Sequence, residues 1–509
     1  MLSNTVLYSI FGLYAIASIG LFTYGINCYW LLYIFLRNHR QQVVSDRRAL
    51  RRFYATGGMD RLPVVTTQLP VFNEANVIER LIRSVCELEY PAGKHEIQVL
   101  DDSIDGSDAI AQAIVDEMRA KGHDIKLIHR TNRKDYKAGA LNEGMDVARG
   151  EFLAIFDADF VPPSDYLLRT VPFLCMNEQY GLVQARWGHL NSQESSLTLA
   201  QSIGIDGHFV IEQSARSWGS LFMNFNGTAG VWRKSAIVDA GGWEGDTLTE
   251  DMDLSYRAQL KGWKMKFAYD VVVPAELPAD INAFKSQQFR WAKGSIQTAM
   301  KLLPKVLKSD VGFRVKLQAI LHTTHYSIHP LMMLTALLAL PLLYWFPFKV
   351  STLAFTALCV LIVISSLAPT ILYLVAQRMS SKNWMNRMLS LPTLMAVGVG
   401  VAFNNTRAVL SALSGDKGTF VRTPKAGDKG VKAQTAKAYH KTKFPVAAAF
   451  ELGLGAYCLV GFIDYTSAEK YLVGPFLGLY AVGFLVVGVM SLTHYLRTRT
   501  PSREAQQEN

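Results

Sequence analysis

The stretch EFLAIFDADF, residues 151–160, decides the fold class of this chain. It begins with an apolar run of strand length, and two aspartates, Asp157 and Asp159, follow that run directly. A short, continuous apolar run is typical of a strand that is buried on both faces of a parallel sheet. In such sheets, ligands bind outside the carboxyl ends of the strands, which is where these two aspartates are expected.

Short apolar strands alternate with amphipathic helices on both sides of this stretch, over residues 62–269. We predict strands at 64–69, 97–101, 125–129, 152–156 and 182–185, with helices between them, for example at 77–88, 108–121 and 138–149. This alternation predicts an α/β domain: a mostly parallel sheet with helices on both faces.

The flanking sequence is far more apolar than this central region. Of the 509 residues, 50% are hydrophobic and 18% are charged, and the apolar residues concentrate in the first 36 residues and again after about residue 317. Several of these runs are long enough to cross a membrane. Arginines and lysines follow the first run, so the positive-inside rule places the central domain in the cytosol. The positive-inside rule also explains the net charge of +10, so a nucleic-acid partner is not needed to account for it.

We therefore predict about five membrane spans plus interfacial helices. The predicted order is a membrane helix (1–36), a cytosolic α/β domain (37–280), an interfacial amphipathic helix (281–310), two membrane helices (311–376), an interfacial or re-entrant helix with a basic loop (377–445), two membrane helices (446–496) and a cytosolic tail (497–509). Residues 389–403 are too short to span comfortably, and a span there would put the basic loop outside. We therefore expect them in the membrane interface.

Acidic residues follow three of the predicted strands: Glu74, the pair Asp101 and Asp102, and the pair Asp157 and Asp159. A single aspartate at such a position is often a helix cap or a turn former. Several carboxylates at one edge repel each other, so a cation is expected among them. The side chains of Asp157 and Asp159 point the same way in an extended chain and suit one Mg²⁺ or Mn²⁺ shared with a diphosphate.

Two later segments offer further chemistry. Lys137, at a predicted helix start, is either a solvated lysine or a phosphate ligand. The segment Thr249-Glu250-Asp251 is either a capped helix start or the source of a general base, for which we favour Asp251.

Gln287, Arg290 and Trp291 share one face of a predicted helix over residues 282–303. Arg290 offers a fork for a phosphate, and Trp291 offers a stacking surface for a sugar ring or a base. The same residues suit a helix that is anchored in the membrane interface, and the two interpretations are compatible.

The ordered motifs together resemble the processive, inverting family 2 glycosyltransferases, the group of cellulose and hyaluronan synthases. Within that group the chain looks closest to the plant cellulose-synthase-like A and C proteins, which make mannan or glucomannan and the xyloglucan backbone. The motifs that carry the resemblance are QVLDDS (98–103), YKAGAL (136–141), AIFDADF (154–160), LVQARW (182–187), FNGTAGVWR (225–233), EDMDL (250–254) and QQFRW (287–291).

The resemblance implies a GT-A-type fold and a role for each matching residue. Glu74, Asp101 and Asp102 would hold the nucleotide, Asp157 and Asp159 the diphosphate and a divalent cation, and Asp251 would be the base. Lys137 and Arg290 would complete the nucleotide-sugar site. The acceptor residues would be Asn226, Gly227, Thr228, Glu250, Gln287 and Trp291. Residues 419–425 are similar to a gating loop, from whose usual form Pro424 departs.

The implied activity is the building of a β-linked hexose polymer, glucan or mannan, with an expected β-1,4 linkage, from UDP-glucose or GDP-mannose, and its passage through the membrane spans. The partners would be the nucleotide-sugar, the growing glycan and the lipid membrane, which would be the cell membrane in a bacterium or the Golgi in a plant-like cell. One alternative is a nonprocessive transferase that acts on a lipid acceptor. Another alternative is a transporter with a cytosolic binding domain that does no chemistry. That alternative does not explain Asp251 or the metal motif. The sequence does not distinguish glucose from mannose, because that choice depends on one hydroxyl.

Overall fold

The structure, a computed structural model, describes residues 4–345, 352–418, 425, 427 and 446–499. Its strands are β1 Val65–Val71, β2 His95–Asp101, β3 Asp124–His129, β4 Phe152–Ile155, β5 Tyr180–His189, β6 Gly230–Arg233 and β7 Lys264–Ala275. Its helices are α1 Asn4–Ala55, α2 Ile78–Cys86, α3 Ser107–Ala120, α4 Tyr136–Asp146, α5 Tyr166–Met176, α6 Ser196–Asp206, a π-helix Gly207–Gln213, α7 Ser214–Trp218, α8 Lys234–Asp239, α9 Glu250–Leu260, α10 Ile281–Lys308, α11 Phe313–Thr323, α12 Ile328–Trp345, α13 Thr352–Ser380, α14 Trp384–Met388, α15 Leu391–Gly400, α16 Ala402–Leu413, α17 Val446–Ser467 and α18 Gly474–Arg499.

The seven strands form one sheet in the order β3-β2-β1-β4-β6-β5-β7. The pairs β1–β2, β2–β3, β1–β4 and β5–β7 are parallel, and β6 is antiparallel to both of its neighbours. The prediction of a mostly parallel sheet with helices is confirmed. The sequence analysis did not predict β6 and β7, and β1 continues two residues past its predicted end, to Val71.

Both faces of the sheet are covered, and the strand sequences show how. Along β4, Phe152 packs on one side with the helices α2, α3 and α5, whereas its neighbour Leu153 packs on the other side with α4 and the middle of α1. Val99 and Leu100 divide in the same way in β2. Successive side chains of a strand point to opposite faces, so a continuously apolar strand supplies two cores.

The first helix extends well beyond its apolar part. We expected a membrane helix to end at residue 36, but α1 continues to Ala55 as one helix of 52 residues. The arginines that follow the apolar run favour helix as much as most apolar residues do, so a change in hydropathy is not a helix end. Phe53 near the end of α1 is buried in the core of the sheet, and the Tyr54 hydroxyl donates to the Leu168 carbonyl over 2.5 Å.

Five helical stretches among the described residues are long and apolar enough to cross a membrane: Thr5–Ala55, His325–Trp345, Trp384–Leu413, Val446–Ser467 and Gly474–Leu496. The first of the two membrane helices predicted over residues 311–376 is not continuous, because α11 ends at Thr323 and α12 begins at Ile328. Thr323, Thr324 and His325 lie at the break, and a short 3₁₀ turn, His325–Ser327, follows it.

The stretch Trp384–Leu413 contains residues 389–403, for which an interfacial position stays a prediction. The chain therefore has the composition of an integral membrane protein. Most of the basic loop (419–424, 426 and 428–445) and residues 500–509 of the tail lie outside the described residues.

Candidate active site

Lys137 and Asp157 meet at the carboxyl end of β4. Lys137 lies in the first turn of α4, and its Nζ donates to Asp157 Oδ1 over 2.5 Å and to the Gly227 carbonyl over 2.6 Å. The backbone N–H of Asp157 donates to Thr228 Oγ1 over 2.9 Å, and Thr228 is itself fully buried. The ammonium group and the first aspartate of the acid pair are therefore positioned together, as a phosphate and cation site requires.

The backbone of Gly227 lies close to both the proposed base and this lysine. Its φ is +79°, and a Cβ built there would lie 3.1 Å from Asp251 Oδ2 and 3.4 Å from Lys137 Nζ. A side chain at this position would both strain the backbone and crowd the two groups. The structure thus brings Gly227, Asp251, Lys137 and Asp157 into one site.

The residue before this glycine, Asn226, is held on three sides. Its backbone N–H donates to Gln184 Oε1 over 3.1 Å, its Oδ1 accepts from Gln213 Nε2 over 2.5 Å, and its Nδ2 lies 3.1 Å from His208 Nε2. Sequence reasoning missed Gln184, Gln213 and His208. Gln184 lies within the LVQARW motif, but no pattern in the sequence pairs it with Asn226.

The start of α9 carries two adjacent carboxylates, Glu250 and Asp251. Burial raises the pKa of Asp251 to about 8, and the negative charge of Glu250 adds to the effect. Burial also raises the pKa of Glu250. The Met252 backbone N–H holds Asp251 Oδ1 at 2.7 Å. A carboxylate with a raised pKa is a stronger base than an ordinary aspartate, as proton abstraction at neutral pH requires.

Arg290, on α10, lies near this acidic group. Burial lowers its pKa, and the charges of Glu250, Asp157, Asp251 and Asp159 act in the other direction. The guanidinium is therefore close enough to interact with all four carboxylates. Gln287 and Trp291 lie on the same helix and are half-buried, and Trp291 packs beside Ile296 and Ala408.

The helix α10 approaches the start of α9 closely because Gly294 has no side chain. A Cβ at Gly294 would lie 2.6 Å from Thr249 Cγ2 and 2.9 Å from the Leu248 carbonyl carbon. Gln297 Oε1 accepts from the Leu248 N–H over 3.0 Å, one turn further along α10. This contact sets the distance between Arg290 and the two carboxylates of α9.

Asp159 and Glu74 share a second lysine. Lys425 Nζ lies 2.6 Å from Asp159 Oδ1 and 3.3 Å from Glu74 Oε1. Burial alone would lower the pKa of Lys425, but the nearby carboxylates Asp159, Glu74 and Asp157 outweigh it and raise the pKa. Lys425 belongs to the predicted gating loop, whose residues 419–424 lie outside the described residues. A cationic group from elsewhere in the chain thus reaches the second aspartate of the acid pair.

The carboxylates of this site fit a hard divalent cation. Asp157 and Asp159 would supply oxygen ligands, and each lies beside a lysine. Magnesium usually needs only one or two carboxylates beside substrate phosphates. A separate acidic group, Glu244, Asp246 and Asp253, also has oxygens close enough together for a metal. Lys301 Nζ already lies within 2.9 Å of an oxygen of each, and Arg257 Nη2 lies 2.7 Å from Asp253 Oδ2, so cations of the protein itself already occupy this second group.

Asp101 and Asp102, predicted to hold the nucleotide, are engaged by neighbouring side chains. Asp101 Oδ2 lies 2.6 Å from His129 Nδ1, and Asp102 accepts two hydrogen bonds from Arg130, at 2.7 and 2.6 Å. Both aspartates are buried. Their direct role in nucleotide binding stays a prediction; in the structure they hold His129 and Arg130 in place, two residues that the sequence analysis did not single out.

Comparisons with known proteins show what this chain resembles in sequence. Residues 63–294 match the family described as "Glycosyltransferase like family 2". Over 259 residues the chain is 46% identical to glucomannan 4-beta-mannosyltransferase 1 of Oryza sativa subsp. japonica, a match that covers 50% of this chain and 49% of the relative. Glucomannan 4-beta-mannosyltransferase 2 of Arabidopsis thaliana is 43% identical over 258 residues, covering 50% and 48%.

The chain spans about half the length of the curated relatives it matches. Among solved structures, the mannosyltransferase PcManGT from Pyrobaculum calidifontis, in complex with GDP-Man and Mn²⁺, aligns with a TM-score of 0.47 and 18% identity, covering 77% of this chain and 99% of that one.

Proposed function

We propose that residues 63–294, which match the family described as "Glycosyltransferase like family 2", form a glycosyltransferase domain, and that the chain is a membrane-embedded inverting synthase that extends a β-1,4-linked glycan with mannose from GDP-mannose. The observation that carries the proposal is the meeting of Lys137, Asp157, Asp251 and Gly227 within a few ångströms, close to Arg290. The names of the similar plant proteins favour mannose over glucose as the transferred sugar.

In this proposal Asp251 accepts the proton of the acceptor hydroxyl. The hydroxyl oxygen forms a bond to the anomeric carbon of the donor sugar, and the bond from that carbon to the diphosphate oxygen breaks on the opposite face. The configuration at the anomeric carbon is therefore inverted. Lys137 and Arg290 offset the negative charge that develops on the departing nucleoside diphosphate.

The cofactor of this reaction would be Mg²⁺ or Mn²⁺, held by Asp157 and Asp159. When bound, such an ion would share the charge of the diphosphate with Lys137 and Arg290. The sharing of Asp159 and Glu74 by Lys425 supports the same assignment, because it shows that these carboxylates accept a positive group. Chelation is expected to abolish transfer, and added Mn²⁺ or Mg²⁺ is expected to restore it.

We further propose that the catalytic domain lies on the cytosolic side and that the enzyme adds many sugars before it releases the chain, which passes out between the membrane helices. The arginines that follow the apolar part of α1 support this orientation. The position of Gln287 and Trp291 on α10, which continues towards α11 and α12, supports an acceptor end that faces the membrane.

The proposal is tested with the full-length protein in lipid nanodiscs, incubated with radiolabelled GDP-mannose and Mn²⁺. We expect a polymer that an endo-β-1,4-mannanase digests, and a loss of about 10²-fold or more in rate for Asp251→Asn, which keeps the shape of the side chain. Glu178→Gln, a change at an exposed carboxylate, is the matched control and should retain full activity.

Three outcomes would contradict the proposal in different ways. A polymer formed from UDP-glucose instead would correct the donor. A single sugar on an organic-extractable lipid would favour the nonprocessive alternative. Donor binding without any transfer, unaffected by Asp251→Asn, would favour a binding or transport protein.

A further inference from the structure

Residues 305–317, where the chain turns from the end of α10 into α11, form what we call the α10–α11 corner, and it exposes large apolar side chains. Leu307 is 47% exposed, Phe313 78% and Leu317 40%. Phe313 and Leu317 are four residues apart on α11 and share one face of that helix. Lys316 Nζ donates to the Leu307 carbonyl over 2.8 Å, which ties the end of α10 to α11. An exposed apolar surface of this kind marks a site of contact with a protein or a membrane.

The α10–α11 corner also carries a local excess of positive charge. It contains Lys305, Lys308, Arg314 and Lys316 against a single carboxylate, Asp310. Lys305, Lys308 and Arg314 are exposed, and none of the three has an ion-pair partner among the residues that the structure describes. The corner therefore combines apolar side chains with cations that are available to an external anion.

Contacts with α1 locate the α10–α11 corner relative to the apolar part of that helix. The Tyr24 hydroxyl donates to the Thr324 carbonyl over 2.9 Å, and Gln318 Nε2 donates to Asn27 Oδ1 over 2.6 Å. From Thr324 back to Gln318, α11 therefore advances towards the end of the apolar part of α1, at about residue 36. Phe313 lies about 7.5 Å further along α11 in the same direction.

Two aromatic side chains of α1 mark the same level. Trp30 is 39% exposed and Tyr33 52%, and their rings lie 6.0 Å apart. Tryptophan and tyrosine are enriched where a membrane meets water. Val315 of α11 packs against the core cluster that contains Leu31 and Phe35, the residues on either side of this aromatic pair. We therefore expect the α10–α11 corner at the level of the lipid headgroups.

The buried side of the α10–α11 corner packs on α9. Val306 and Ala319 belong to one buried cluster with Met252 and Tyr256 of α9. Met252 directly follows Asp251, the proposed base. A partner that holds the outer side of the corner therefore also holds α10 and α11 against the helix that carries the base.

We propose that the α10–α11 corner binds the headgroups of anionic phospholipids at the membrane surface, through Lys305, Lys308 and Arg314, while its apolar side chains contact the same lipid layer. Phospholipids without net charge do not complement three unpaired cations, whereas an anionic headgroup does. A membrane suits the corner better than an acidic soluble protein does, because the cations alternate with apolar side chains at the level where α1 leaves the apolar layer. This binding is separate from glycosyl transfer and does not depend on it.

The test measures lipid binding by the full-length protein in dodecyl maltoside micelles, from energy transfer between its tryptophans and dansyl-labelled phosphatidylserine or dansyl-labelled phosphatidylcholine. We expect the parent to bind phosphatidylserine about 10-fold more tightly. In the triple variant Lys305→Gln/Lys308→Gln/Arg314→Gln this preference should fall to about twofold or less, because each basic residue near an anionic surface contributes about fivefold to the affinity. Added salt should weaken the preference of the parent, since the charges are exposed.

Arg48→Gln/Arg51→Gln/Arg52→Gln is the matched control, because it removes the same charge from exposed positions of α1 that lie about 20 Å or more beyond Phe35. Its preference for phosphatidylserine should stay within about twofold of the parent. The proposal is overturned if the parent does not distinguish the two lipids, which would leave an acidic protein as the partner. It is also overturned if the triple variant keeps the preference of the parent, or if the control loses it to the same extent.

Thermal unfolding in the same micelles shows whether each variant is folded. If the triple variant is not, the single changes Lys308→Gln and Arg314→Gln decide the question, and each should lower the preference at least about twofold. An unchanged preference in both single variants would overturn the proposal. The measurement uses neither a nucleotide-sugar nor a polymer, so a failure of lipid binding and a failure of the proposed glycosyl transfer are separate results.

Discussion

A single methyl group at Gly227 tests the arrangement of the site most directly. In Gly227→Ala the new Cβ would lie 3.1 Å from Asp251 Oδ2 and 3.4 Å from Lys137 Nζ, so both groups must move by a few tenths of an ångström. Holding alanine at a φ of +79° also costs about 1–2 kcal/mol of folding free energy. A 1 Å misplacement of a reacting group reduces rates by about 10²-fold, so we expect kcat to fall by about 10- to 100-fold.

Gly262→Ala separates the two effects. Gly262 has a φ of +94°, and a Cβ there would meet no atom within 4 Å. Both variants should therefore lose similar stability, about 2–8 °C in unfolding midpoint followed by tryptophan fluorescence, whereas only Gly227→Ala should lose activity with radiolabelled GDP-mannose. The reasoning is refuted if Gly227→Ala keeps kcat within threefold of the parent, or if Gly262→Ala loses activity to the same extent.

Three further perturbations address other parts of the molecule. The proposed base Asp251 acts as a carboxylate, and its pKa is raised to about 8, so kcat/KM measured from pH 5.5 to 9 should rise about tenfold per pH unit up to about pH 8. Glu250→Gln removes a neighbouring negative charge and should move this rise to lower pH. A flat profile would exclude Asp251 as the titrating base. Gly294→Ala should force α10 away from Thr249, reduce activity about tenfold or more and lower the stability by about 1–3 kcal/mol. Activity equal to that of the parent would show that the contact between Gly294 and Thr249 does not position Arg290. Lys285 and Glu451 form a buried ion pair at 2.5 Å between α10 and α17, so Lys285→Met should destabilise the protein by about 3–5 kcal/mol, as measured by thermal unfolding. The double variant Lys285→Met/Glu451→Leu should recover part of that loss. No recovery would mean that the unpaired charge of Glu451 is not the cause of the destabilisation.

The sheet was largely predictable because its central strands are short apolar runs bounded by polar residues. β4 illustrates this, since each of its four residues is buried and the run ends at Asp157. β6 is also buried, but its sequence runs from Gly230 to Arg233 with only Val231 and Trp232 as large apolar residues, so it does not form an apolar run, and its pairing with β4 and β5 makes it a strand. β7 alternates in burial over part of its length and contains a bulge opposite β5, which disturbs the period that a sequence pattern relies on.

The site was predictable where motif and strand end coincide, and less so where partners come from distant segments. Asp157 and Asp251 were identified from their local sequence. The pairing of Asp102 with Arg130 was not, because nothing in the residues near Asp102 indicates which cation will neutralise it. The same holds for Lys425, which reaches Asp159 across more than 260 positions of sequence. Long-range charge pairing is a property of the folded chain, and a linear pattern does not carry it.

The length of α1 couples the orientation of the sheet in the α/β domain to that of the bilayer. At about 1.5 Å per residue the helix is about 78 Å long, and the part beyond Phe35 accounts for about 30 Å of that. Phe35 and Phe53 are both buried in the cores of the α/β domain, so the part of α1 beyond Phe35 is packed against this domain at both of its ends. A thinner membrane makes a long apolar helix tilt. The α/β domain must tilt with α1, so the thickness of the bilayer affects the angle at which the candidate site faces the lipid.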